Sequence, residues 1–397
     1  MSDARRWRVL GVLALAEVLG MSLWFSASAV SGLLAARWQL TSGETGWLTA
    51  AVQLGFVAGT ALAAVLNLAD LVPARPYFSL SALLGAAANA TLVLAPDFGS
   101  ALVSRFFTGF FLAGVYPPAI KMAATWFRAY RGLAIGAVVG ALTVGKAIPY
   151  LVRSAHVTGV APVVLTASVG ALLSSLLVAT AYRDGPFGFP RRPFSWRLVA
   201  TVARHRETRL ATAGYLGHMW ELYAMWTWVP VFLAASAAAR AAAGWPVSVS
   251  AVYLLAFGAI AAGGLGALWG GWAADRVGYA RVVTWAMAAS GLCSLAVGVF
   301  FGRSFWLLAP VVLVWGFFVV ADSAQFSAMV TEVAPPHAVG TAVTLQTSLG
   351  FLLTMVTIQL IPQVVSLAGW QLAFPVLALG PAAGIAAIRR LGPGFRK

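Results

Sequence analysis

Three acids of this 397-residue chain, Glu17, Glu221 and Asp322, stand well inside long apolar runs, as do Lys121, Lys146 and His218. A charge near the centre of a bilayer is costly, so an ionisable side chain kept there is expected to bind, pair or carry a proton. At 1.5 Å per residue Glu17 lies about 15 Å into the first run and Glu221 about 18 Å into the seventh, near the midplane in both cases. Lys146 is about 21 Å into the fifth run, too deep to snorkel, and needs a carboxylate neighbour to stay charged. Glu17 is the expected partner. Lys121, about six residues from the end of the fourth run, could serve the site or reach the interface along its stem.

His218 and Glu221 are three residues apart and share a helix face. Such a histidine can be a hydrogen-bonded core group, relay protons with the glutamate, or join the acids around a divalent cation. The glutamates can also be plain interhelical hydrogen-bonding groups. Asp322 is the third buried acid, one turn from Gln325. Trp24 and Trp228 lie in mid-run and are expected to line a cavity, with Tyr116 and Tyr223 as further wall candidates.

The elements that carry these groups follow from composition. Hydrophobic residues make up 61% of the chain and charged residues 9%, with mean hydropathy +0.87, whereas a soluble protein carries about 25% charged residues. A water-soluble enzyme is excluded, and no cofactor is expected. Apolar runs fall near 7–35, 46–69, 76–95, 101–127, 132–154, 159–182, 209–236, 247–273, 280–302, 304–330, 338–364 and 368–391. Each is long enough to cross a hydrocarbon core of about 30 Å, which predicts an all-α polytopic membrane protein with 12 transmembrane helices. The one long polar segment, 183–208, holds Arg191, Arg192, Arg197, Arg204 and Arg206 with Pro186, Pro190 and Pro193. It divides a first six-helix bundle, 1–182, from a second, 209–397.

The net charge of +15 is read as orientation and not as nucleic-acid binding. Placing both termini on one side puts 19 of the 26 Lys and Arg there and five, including Arg105, on the other, with two lysines inside spans. Cytoplasmic loops accumulate these residues, so cytoplasmic termini in a bacterial inner membrane are expected. The first run lacks a cleavage site and is expected to be a retained helix. The single cysteine, Cys293, excludes an internal disulfide, and no phosphate-binding G-x-x-x-x-G-K-[ST] loop is present for ATP-driven pumping. Prolines 117, 118, 149, 230 and 310 fall inside runs and mark expected bends.

The halves repeat. Ala16-Glu17 through Met21 to Trp24 matches Trp220-Glu221 through Met225 to Trp228 at an offset of 204; Asp70 matches Asp275 at 205, Gly109-Phe-Phe matches Gly316-Phe-Phe at 207, and Gly132 matches Gly340 at 208. Near-constant offsets predict two pseudo-symmetric bundles, a design common among secondary transporters.

The loop Gly271, Asp275, Arg276, Gly278, Arg281 is similar to the G-x-x-x-D-R-x-G-x-x-R loop of the major facilitator superfamily, and Arg105-Phe-Phe-Thr-Gly109 is similar to its R-x-x-Q-G element with Thr108 in place of Gln. The earlier loop keeps Asp70 and Arg75 but has Leu71 and Pro73 at the Arg and Gly positions. The resemblance implies that Asp70, Arg75, Asp275, Arg276, Arg281 and Arg105 form a gating latch. It also implies that spans 1, 4, 7 and 10 line a central cavity, with Glu17 and Glu221 on opposite walls. Drug and proton antiporters carry Gly-Pro-x-x-Gly-Gly in span 5, where this chain reads Gly140-Ala-Leu-Thr-Val-Gly145-Lys146. Tyr116 to Phe127 with Arg131 to Gly136 looks more like the small-anion porters, nitrate and cyanate carriers among them, although spans 2 and 8 lack the nitrate carriers' arginines. The resulting expectation is a monomeric, proton-coupled transporter of a small organic anion or zwitterion. An organic-cation exporter, a divalent-metal carrier and a transporter-like sensor remain open.

Overall fold

The structure, a computed structural model, describes residues 3–128, 130–187 and 195–391, without the side chains of 3, 69, 70 and 131. The Asp70 side chain and, in the connecting segment, Pro190, Arg191, Arg192 and Pro193 therefore lie outside the described residues. Among these residues there are helices and no strand, as lipid requires of a chain whose backbone polar groups must be satisfied within each crossing. The chain forms two compact units, Met1–Phe194 and Ser195–Lys397.

In the first unit span 1 begins with Asp3–Met21 and resumes, after a short 3-10 turn, as Ser31–Trp38. Span 2 is Ser42–Val65, span 3 Ala74–Ala90, span 4 Phe98–Leu112 followed by Tyr116–Ala124, span 5 Arg131–Ser154 and span 6 Ala161–Ala181. In the second unit span 7 is Arg206–Ala242, span 8 Val249–Val277, span 9 Tyr279–Ala296, span 10 Phe305–Ala321 followed by Ser323–Val333, span 11 Val339–Ala368, and span 12 ends in Leu379–Arg389. Eleven described stretches are long and apolar enough to cross a membrane, and the interrupted first span completes twelve.

Glycine sets the closest crossings, and it does so at matched places. A Cβ on Gly109 of span 4 would stand 1.8 Å from the Val52 carbonyl oxygen of span 2, and one on Gly316 of span 10 would stand 1.7 Å from that of Ala259 in span 8. Only hydrogen fits there, and the helix pairs pack backbone to backbone.

The breaks depart from the expected pattern. Span 1 is not one continuous helix: the amides of Leu23, Trp24, Ser26 and Val30 turn back to carbonyls three residues earlier, the tighter 3-10 geometry. Pro117 and Pro118 do not bend span 4 from within. They start its second half in the first turn, where the missing N–H costs no hydrogen bond. Pro149, Pro230 and Pro310 do sit inside continuous helices. After span 6 the chain folds back on the end of span 4, where Gly185 N–H donates to Thr125 Oγ1 at 3.1 Å and Trp126 Nε1 donates to the Arg183 carbonyl at 2.9 Å. The amphipathic helix Trp196–Arg204 lays Leu198 and Val202 against Ala211, Val330, Ala338 and Ala342 of the second unit.

Candidate functional site

In the first unit Gly145 lets span 5 approach span 1 so closely that a Cβ would stand 2.5 Å from the Val18 carbonyl oxygen. The next residue, Lys146, is 2% exposed, with Nζ 4.1 Å from the centre of the Trp24 ring, a cation–π geometry. Trp24 in turn meets Phe56 with ring centres 5.3 Å apart. Glu17 is fully buried and interacts electrostatically with Lys146 and with Tyr116, which opens the second half of span 4. Neither carboxylate oxygen of Glu17 accepts a hydrogen bond among the described residues. A buried carboxyl with an adjacent ammonium and open acceptor positions can take up a proton or yield its cation to another anion.

Arg105 lies apart from that pair and has different company. It is fully buried inside the bundle, so it is not one of the loop charges opposite the termini, and its described partners are neutral. Nη1 donates to Asn89 Oδ1 at 2.7 Å and Ser26 Oγ at 3.1 Å, Nη2 to the carbonyls of Trp24 at 2.5 Å and Leu23 at 3.1 Å, and Nε to that of Leu48 at 3.4 Å. The guanidinium thus satisfies the Trp24 carbonyl, which the break in span 1 frees from helical pairing, and adds a donor to that of Leu23, which Ser26 also serves. Asn89 also accepts from Ser26 Oγ at 2.6 Å and donates to Ser168 Oγ and the Val164 carbonyl, so every position of its amide is used.

In the second unit Glu221 is also buried, and both its oxygens are held: Oε1 accepts from Trp315 Nε1 and Oε2 from Ser290 Oγ, each at 2.7 Å. One turn before it, His218 Nδ1 lies 2.9 Å from Asp322 Oδ1, both side chains being 2% exposed, while Nε2 is 3.0 Å from Ser323 Oγ. Asp322 Oδ1 accepts no aligned hydrogen bond, which makes the contact one of charge proximity and not of directed bonding. Asp322 and Glu221 are electrostatic neighbours. His218, Glu221 and Asp322 thus form one buried titratable cluster at the break in span 10.

The other sequence candidates are more dispersed. Trp228 Nε1 donates to the Ile358 carbonyl of span 11 at 2.9 Å, and Tyr223 packs between Trp226 and Phe351. Gln325 is buried with Oε1 accepting no hydrogen bond among the described residues, and Lys121 is half-buried in the last turn of its helix. Of the latch residues, Arg75 donates to the Ala179 carbonyl near the end of span 6, and Arg276 stacks on Trp272 at 4.0 Å while donating to that residue's carbonyl. Asp275 makes no ion pair with Arg276 or Arg281 among the described residues. Likewise no three His, Cys, Asp or Glu side chains gather as a metal site would require. Sequence reading passed over Ser26, Asn89, Ser290, Trp315 and Ser323. Asn89 alone carried a signal, as an amide inside an apolar run.

The family model for the Major Facilitator Superfamily matches residues 12–239, more than half of the chain. The chain belongs to this superfamily. Its members are transporters, and solved structures of two share the fold over nearly the whole length. One is a bacterial homolog of the human lysosomal transporter Spinster, solved inward-facing and unoccupied, at 15% identity and TM-score 0.70 with 98% of this chain and 95% of that one covered. The other is the human organic anion transporter MFSD10 (TETRAN), at 16% identity and TM-score 0.72 with 98% and 100% covered. No curated protein matches.

Proposed function

We propose that this superfamily member carries a small organic anion or zwitterion by alternating access, coupled to protons, and stands nearer the small-anion porters than the drug antiporters. The observation that carries the reading is Lys146, buried on the face of Trp24 with Glu17 as electrostatic neighbour. While Glu17 is ionised it neutralises Lys146. When Glu17 takes a proton, the ammonium is left for the carboxylate of a substrate, and the Trp24 ring offers that substrate an apolar face. Proton and anion then load together with no net change of charge in the site, which is the electrostatic logic of symport. Departure of the anion returns Lys146 to Glu17 and releases the proton. His218, Asp322 and Glu221 supply a second place where a proton can rest.

The experiment is uptake into proteoliposomes under an imposed pH gradient. An ion pair at about 4 Å is worth on the order of 4 kcal/mol at an effective dielectric near 20. Lys146→Ala is therefore expected to cut anion uptake by at least a hundredfold, with Lys146→Arg retaining part of it. Glu17→Gln is expected to leave exchange of bound anion but remove accumulation driven by the gradient. Anion flux unchanged in Lys146→Ala, or flux of cations alone, overturns the reading.

A further inference from the structure

The start of span 9 and the end of span 12 enclose a cavity of about 420 Å³ lined by Ala280, Arg281, Thr284, Trp285, Ile388 and Arg389. Its charge is of one sign. Its charged lining residues are Arg281 and Arg389, one from each helix, and Ile388, 4% exposed, is its buried apolar one. The Thr284 hydroxyl is committed to the Ala280 carbonyl at 2.7 Å. Two arginines lining one cavity are suited to a phosphodiester, whose oxygens accept charge-assisted hydrogen bonds from both.

The surface leading away from the cavity narrows the choice of anion. Arg281 heads a stripe of exposed residues on span 9, Trp285, Ala288, Leu292 and Leu295, which recur at the three- and four-residue spacing of one helix face. Arg281 to Leu292 is about 16 Å along the axis, half of a hydrocarbon core of about 30 Å. On span 12 the exposed residues of Leu379–Arg389 before Arg389 are Leu379, Ala382, Ala383 and Ala386. A soluble phosphate or nucleotide would use the arginines and nothing of this stripe. A lipid uses both, with Trp285, half exposed, at the level where aromatic side chains sit between headgroup and chain.

We propose that this cavity is a binding site for the headgroup of an anionic phospholipid, its phosphate held between Arg281 and Arg389 and an acyl chain lying along the Trp285 to Leu295 stripe. The site is separate from the buried Lys146 and Glu221 clusters and stands whether or not the transported species is an anion. The test uses the full-length protein in detergent, titrated with short-chain phosphatidylglycerol, phosphatidylcholine or inorganic phosphate and read by native mass spectrometry and thermal shift. Each basic residue near a surface is worth about a factor of five for an anionic lipid. The double variant Arg281→Gln/Arg389→Gln is thus expected to bind phosphatidylglycerol about thirtyfold more weakly, Arg303→Gln to bind it as the wild type does, and Trp285→Ala to weaken both lipids. Undiminished phosphatidylglycerol binding by the double variant overturns the proposal. So does displacement of the lipid by an equal concentration of inorganic phosphate, which would mark a plain anion site.

Discussion

Glu17 and Glu221 occupy equivalent positions in the two halves, and their surroundings have diverged in opposite senses. Glu221 has both oxygens tied by Trp315 and Ser290, whereas Glu17 has neither oxygen hydrogen-bonded among the described residues and a lysine beside it. The repeat offsets show how this came about residue by residue. The counterpart of Trp315 is Thr108, that of Lys146 is Thr354, and that of Asp322 is Val115. The neighbouring backbone diverges too: Arg105 corresponds to Val312, and span 1 is broken where span 7 runs unbroken from Arg206 to Ala242. Duplication supplied one frame, and single side chains then made one half cationic around its glutamate and the other acidic. The break in span 1 stands where Arg105 donates to the Trp24 carbonyl inside it.

The largest expected effect tests that last statement. Arg105→Leu strands the Trp24 carbonyl and takes the charged donor from Asn89 and Ser26 as well, at roughly 1–3 kcal/mol for each buried group, and should leave little folded protein in detergent. Val312→Ala removes only two methyl groups and should cost about 1–2 kcal/mol. Arg105→Lys should rescue poorly, because an ammonium cannot span the same fork of acceptors. Equal losses at 105 and 312 would break the comparison. Next in size is the buried pair. Glu17→Gln and Lys146→Met should each destabilise by about 3–5 kcal/mol and the double variant by much less, as read from unfolding midpoints. Glu221→Gln with Thr354→Met should instead add.

Smaller effects probe what the halves share and where they part at their edges. Gly109→Ala and Gly316→Ala force a methyl onto a facing carbonyl and should destabilise alike, by about 1–3 kcal/mol; a clear inequality would show that the two crossings are not equivalent. The smallest difference lies at the starts of spans 4 and 10. Asp97 caps span 4, accepting from Ser100 N–H at 2.8 Å, while its counterpart Ser304 makes no side-chain cap. Hydrogen bonds from the Ser100 backbone and hydroxyl hold the Asp97 carboxyl below its ordinary range. Its contribution is present at neutral pH and is lost as pH falls below about 4 and on through the lowered folded value. Asp97→Ala should lower the melting temperature slightly at pH 7 and less at pH 3, and Ser304→Ala should not lower it at either.

Much of the architecture was legible because hydropathy and repetition are properties of the chain itself. Twelve apolar runs and constant offsets are visible without knowing what touches what. The break in span 1 was not legible, since Gly20 to Ser28 reads as apolar and helix-compatible, and the side chain that donates into it is an arginine about eighty positions away. The same holds for Glu221: burial follows from its place in a run, but its donors come from residues 69 and 94 positions later. Composition finds a buried charge, and only tertiary structure says whether it is satisfied. Arg105 illustrates the reverse risk, because a count of basic residues by side assigns to the face opposite the termini a side chain that serves the bundle interior.

The chain order of these contacts bears on how the protein is made. Every group that accepts a hydrogen bond from Arg105, from Leu23 to Asn89, precedes it in the sequence, so the arginine leaves the ribosome with its whole cage already synthesised. Glu221 emerges in the opposite situation. Trp315 follows it by 94 residues, a wait of roughly 5–20 s at ordinary translation rates, during which the carboxyl must stay protonated, remain near water or be shielded by other means. The acceptors of Arg105 can thus gather around it as span 4 is inserted, whereas the donors of Glu221 are complete only when span 10 arrives.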